Sequence, residues 1–146
     1  MLTTDATAAG TRGAFNAAAR VVLFFVHSNL LISTAATSVA LSTILLAELP
    51  VEWLPLFIVF AVTLFVYSFN RLTDLAEDEQ NVPQRASFIE DYGFALLVLG
   101  TVLYFLATVA AIVAGIRGSP AMVVPLGVAV LYSVFGLKRV LLVKNL

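Results

Sequence analysis

From Trp53 to Phe69 the chain carries no charged side chain, and the same holds from Tyr92 to Ile116. Runs of this kind constrain the fold more than any other feature. About 20 apolar residues in helical form cross the hydrocarbon of a bilayer. A lipid-exposed segment must also satisfy its backbone hydrogen bonds within itself, which a helix does. Two further apolar stretches, about 21–49 and 120–137, flank the first two. The expected fold class is therefore all-α, a polytopic membrane helical bundle of four transmembrane helices with spans near 21–49, 53–70, 92–116 and 120–137.

The composition agrees. Hydrophobic residues make up 61% of the chain and charged residues 12%, about half the share in a soluble domain. A net charge of −1 offers no basic face for a nucleic acid. Without cysteine there is no disulfide framework or thiolate metal centre, and the single His27 excludes a multi-histidine one. Residues 1–19 are small and polar and read as a cytoplasmic tail. A cleaved signal peptide is the competing reading of this end, but the apolar pattern continues far beyond a signal core. No internal repeat or low-complexity segment is evident.

Span one is bulky in its first part and dominated by Ser, Thr and Ala from Ser33 to Thr43, a composition that lets helices approach closely in lipid. Trp53 fits an interfacial anchor. Gly115 to Ser119 reads as a tight turn with Ser119 as helix cap and Pro120 at the first helical position. Pro125 then lies a turn inside span four. With four spans, seven of the eight Lys and Arg residues fall on one side and only Arg117 on the other. The positive-inside rule then places both termini in the cytoplasm. It also sets the acidic stretch after span two and the basic pair after span four at the same face.

That acidic stretch is the candidate site. Asn70-Arg71-Leu72-Thr73-Asp74-Leu75-Ala76-Glu77-Asp78 ends the second apolar run, and eight charged residues lie between Arg71 and Asp91. If the helix continues, each step of four overshoots a turn by about 40°, so Asn70, Asp74 and Asp78 share an arc of roughly 80°. Two carboxylates one turn apart at the mouth of an apolar bundle suit a divalent cation. Hard oxygens from Asp74 and Asp78 match Mg²⁺, whose shell phosphate oxygens complete. Lys138 or Arg139 could hold the phosphates from the opposite side. A prenyl diphosphate has the matching shape, an apolar tail among the spans and a charged head at the acids. Tyr67, Phe69 and Tyr132 are candidates to stabilise an allylic cation. Within span one, Asn29 is the better pocket candidate of the polar triplet His27-Ser28-Asn29, because an amide in hydrocarbon needs a partner.

These residues carry a resemblance. NRLTDLAED resembles the first Asp-rich motif, NxxxDxxxD, of the UbiA superfamily of intramembrane prenyltransferases. The aromatic span before it, and Tyr132-Ser-Val-Phe-Gly-Leu-Lys138-Arg139 followed by Lys144-Asn145, are similar to that family's second helix and the segment after its fourth. The resemblance implies an all-helical fold around a cavity open to lipid. It also implies Mg²⁺-dependent transfer of a prenyl group from its diphosphate to a hydrophobic acceptor. Asn70, Asp74 and Asp78 would be the metal–diphosphate ligands, with Tyr132 and Lys138 in the later polar pocket. Arg71 stands where family members often have Asp, and no acid follows Lys138. The family builds its site from two Asp-rich motifs, so the resemblance implies a missing C-terminal half as partner.

The competing reading is a small non-catalytic membrane protein, an assembly partner or transporter fragment, whose acids form a solvated loop. Glu77, Glu79, Glu90 and Asp91 are expected to be surface charges, and Lys138 and Arg139 have an alternative role in setting topology. A cation-transport half-unit would require acids within a span, and spans two to four have none between their ends.

Overall fold

The computed structural model describes residues 16–75 and 80–134, with backbone only for 132–134. The described residues form helices α1 (Asn16–His27), α2 (Leu30–Leu46), α3 (Trp53–Thr73), α4 (Pro83–Val113) and α5 (Val123–Val134), with a 3₁₀ turn, Ser119–Met122, leading into α5. No strand occurs among them. Helices α3 and α4 are each long and apolar enough to cross a membrane. The pair α1–α2, bent by 68°, makes a third if counted as one broken span.

Helix α3 is the hub and packs against α2, α4 and α5. Its buried residues, Ala61, Leu64, Phe65 and Ser68, form a single stripe of steps of three and four. The facing stripe on α4 has a period of seven. Ala86, Gly93, Gly100 and Ala107 are all buried, with Ile89 and Leu96 alternating between them. Small residues repeated at this interval let two backbones meet where lipid supplies no hydrophobic drive. Closest approach is at Gly100, where a Cβ would lie 3.0 Å from the Phe65 Cα and 3.2 Å from its backbone nitrogen. Beside it, Phe65 stacks on Tyr104 with centroids 4.9 Å apart. The Tyr104 hydroxyl donates to the Met122 carbonyl, tying α4 to the entry of α5.

The polar half of α2 satisfies itself. The hydroxyls of Ser33, Thr37, Ser38, Ser42 and Thr43 each donate to the carbonyl four residues back, at 2.8–2.9 Å. Two helices end in the same way. After α2, Glu48 adopts φ 53°, and the N–H groups of Glu48 and Leu49 donate to Leu45 and Ile44. After α4, Gly115 adopts φ 66°, and Gly115 and Ile116 donate to Ile112 and Ala111. Both are Schellman closures, which satisfy the last carbonyls of a helix. Trp53, 71% exposed at the start of α3, is placed as an interfacial anchor would be.

Several boundaries differ from the sequence expectation. The apolar stretch 21–49 is two helices, broken at Ser28 and Asn29, and residues 16–20, expected to lie outside the span or in the tail, are already helical. Helix α4 starts at Pro83, not near Tyr92, so Arg85, Glu90 and Asp91 ride on a helix and not in a loop. Pro83 sits at the first helical position, where its missing N–H is no loss. Ser119 does not cap. It is the first residue of the 3₁₀ turn, Gly118 precedes it as cap, and no side-chain cap bond forms. Pro125 lies in the first turn of α5, where a proline interrupts no hydrogen bond. The described part of the fourth apolar stretch is short, and its continuation past residue 134 lies outside the described residues.

Candidate ligand-binding site

The regular hydrogen-bonded course of α3 closes at Thr73. The Asn70 carbonyl accepts from both the Asp74 N–H, at 3.0 Å, and the Thr73 hydroxyl, at 2.8 Å. Asp74 is the C-cap, with φ −104° and ψ 12°. The expected one-turn relation of Asn70 to Asp74 is therefore present in the backbone, although the helix does not run on unbroken as expected. Asp78 lies outside the described residues, as do Lys138 and Arg139. Tyr132 falls within α5, but its side chain is not among those described. Asn70 and Asp74 are both half-buried. The Asn70 Oδ1 is buried and has no hydrogen-bond partner among the described residues. Among those residues no group of three His, Asp or Glu side chains converges.

Beside the last turns of α3, between Tyr67 and Arg71, a cavity of about 450 Å³ opens, within the range of small-molecule sites. It lies where the break between α1 and α2 meets the end of α3 and the start of α4. Its polar lining is His27, Asn29, Tyr67, Arg71 and Arg85, and its apolar lining is Val26, Leu31, Ile32, Ala35 and Val82. Three separate helix ends thus deliver polar groups to one hollow. His27 is held in place by the Phe88 ring, 5.6 Å away between centroids, which also meets Phe24 at 5.8 Å. Those contacts seat the end of α1 on the first turns of α4.

Asn29 is the pivot. It holds φ 62° and ψ 4°, a left-handed conformation that Asn tolerates better than most residues. Its N–H to C=O geometry starts α2, since the first i to i−4 bond runs from the Ser33 N–H to the Asn29 carbonyl at 3.1 Å. The side chain is 4% exposed, makes no cap bond, and leaves Nδ2 without a partner among the described residues. Ser28 beside it is fully buried, and its hydroxyl donates to the Phe25 carbonyl at 3.4 Å. A further polar atom, the Ser68 Oγ on α3, is also buried without a partner.

Of the residues expected from sequence, Asn29 and Tyr67 line the cavity; Asn70, although it lies between the lining residues Tyr67 and Arg71 on α3, does not, and neither does Asp74. Arg85 was missed. The one local signal that could have found it is Pro83, which marks a helix start and so carries Arg85 to the level of Arg71. Arg71 was noticed as a departure from the family motif and not as a cavity residue. Comparison of the chain with protein-family profiles, with curated proteins and with solved structures gave no match, so the functional reading stands on these residues and their geometry.

Proposed function

We propose that this chain is a membrane-embedded, UbiA-like prenyltransferase component that binds a prenyl diphosphate through Mg²⁺ at the end of α3. In this reading the chain makes four spans with both termini cytoplasmic, and a partner segment supplies the second half of the site and the contacts to a hydrophobic acceptor. The observation that supports it is the oxygen-donor pair at the close of α3. Asn70 keeps Oδ1 buried and without a partner among the described residues, and Asp74 follows one turn on.

A buried carbonyl oxygen without a donor costs about 1–3 kcal/mol, and a hard cation is one group that removes that cost. The residues therefore fit the metal. Asn70, Asp74 and Asp78 would hold it, with Lys138 and Arg139 on the phosphates, and Tyr67 and Phe69 near the first carbons of the tail. When bound, Mg²⁺ neutralises charge on the diphosphate leaving group. The chain's own part is to orient the head at the α3 end and to keep the tail among apolar helices.

The test is equilibrium retention of geranylgeranyl diphosphate by the full chain in detergent or nanodiscs, with Mg²⁺ or with EDTA. Retention is expected with Mg²⁺ only, and Asp74→Ala or Asp78→Ala should weaken it by roughly tenfold or more, about 1.4 kcal/mol. Equal retention by the wild type and the double variant would reject the site and leave the acids as a solvated loop on a non-catalytic membrane protein.

A further inference from the structure

We infer that the cavity at the break between α1 and α2 binds a phosphate-type anion, the head of an amphiphile whose apolar part lies along α2. The donors of this site, Asn29, Arg71 and Arg85, are not among the Mg²⁺ ligands proposed above, although Tyr67 borders both, and the inference does not rest on that reading.

The first turn of α2 supplies the field. Because the first i to i−4 bond starts at Ser33, the amides of Leu30, Leu31 and Ile32 precede it and have no acceptor within the helix. A 17-residue helix presents partial positive charge at that end. Nothing caps it from within, since the Asn29 side chain makes no cap bond. Phosphate groups are bound in this way wherever a helix starts facing a ligand, and broken membrane helices place such half-helix starts toward anionic groups.

The second observation is independent. Asn29 is more than nine-tenths buried, lines the cavity, and keeps its Nδ2 donor without a partner among the described residues. A buried amide donor without a partner among the described residues is unfavourable, and that cost is removed if an anion accepts from Nδ2. The rest of the lining suits the same ligand. Arg71 and Arg85 border the cavity and no carboxylate does among the described residues. On the other wall Leu31, Ile32 and Ala35 are apolar. A head with no tail would leave that wall against water, so the shape favours an amphiphile over free phosphate.

The experiment measures binding to the full chain in neutral detergent with EDTA present. The probes are dihexanoyl phosphatidic acid, dihexanoyl phosphatidylcholine and inorganic phosphate. The phosphatidic acid should bind saturably and more tightly than either of the others, and Asp74→Ala should leave its affinity unchanged. Asn29→Asp keeps the size and the tolerance for left-handed backbone but replaces the donor by a carboxylate, and should weaken binding at least about tenfold. Arg85→Gln, on the first turn of α4, should weaken it by about threefold or more. Circular dichroism of each variant confirms the helix content. Wild-type affinity in a folded Asn29→Asp, or no saturable binding of phosphatidic acid, overturns the site. Inorganic phosphate binding as tightly as phosphatidic acid overturns the amphiphile assignment. Loss of phosphatidic acid binding in Asp74→Ala would merge this cavity with the Mg²⁺ site and defeat their separation.

Discussion

At Asn29 two roles of one residue can be separated. The backbone needs φ 62° to turn the chain between α1 and α2, and a side chain with a Cβ pays roughly 1–2 kcal/mol for that conformation unless it is Asn, Asp or Gly. The amide's Nδ2, by contrast, has no partner among the described residues. Asn29→Gly should therefore be neutral or slightly stabilising, while Asn29→Ala should lose about 1–2 kcal/mol, read from denaturant titration in micelles. Because the chain has no native cysteine, spin labels at Val22 and Val39 report the bend directly. Asn29→Gly should keep the wild-type separation, and Asn29→Ala should shift it toward the longer distance of a straighter helix. Equal stability of the two variants would show that the left-handed pivot carries no strain.

At the scale of elements, the α3–α4 seam holds the molecule together. An added methyl at Gly100 meets backbone atoms of Phe65, and backbone cannot rotate aside as a side chain can. Overpacking of this kind typically costs about 1–3 kcal/mol. Gly100→Ala should lower the unfolding free energy by that amount. Gly127→Ala is the control, since none of the described residues lies within 4 Å of a Cβ there, and alanine's helix preference should make it neutral or stabilising by up to about 1 kcal/mol. Matching losses at the two glycines would mean that the seam is not the tight contact. The seven-residue step from Ala86 to Ala107 stands in the sequence among other small residues, and only the packing against α3 picks it out. The start of α4 was harder to see. Arg85, Glu90 and Asp91 look like loop charges until the helix from Pro83 shows them on the turns that project beyond the apolar run. The end of α3 was legible only to within a turn, because a Thr73 hydroxyl competing for the Asn70 carbonyl is a local event that apolar patterning does not register.

For the whole molecule, the open question is whether the bent pair crosses the membrane or returns to the side it came from. The seven-to-one charge distribution expected from the sequence is obtained only if the pair crosses. Single cysteines at Asn16, Glu52, Gln80 and Gly118 in sealed, right-side-out vesicles decide it with a membrane-impermeant maleimide. Positions 52 and 118 should react from outside, and positions 16 and 80 only after permeabilisation. Labelling of 16 together with 52 would make α1–α2 a re-entrant element and reverse the assigned side of the N-terminal segment.

The sequence by itself determined that this chain is helical and apolar enough for a membrane, since long uncharged runs leave the backbone no other way to satisfy its hydrogen bonds in lipid. It also determined where polar groups cluster along the chain. Only the tertiary structure decided which of them meet. Asn29, Arg71 and Arg85 are far apart in sequence and converge because α1 breaks where α3 ends and α4 begins. That break falls at the left-handed Asn29, and the polar triplet His27-Ser28-Asn29 marks the place in the sequence without showing that the helix turns there.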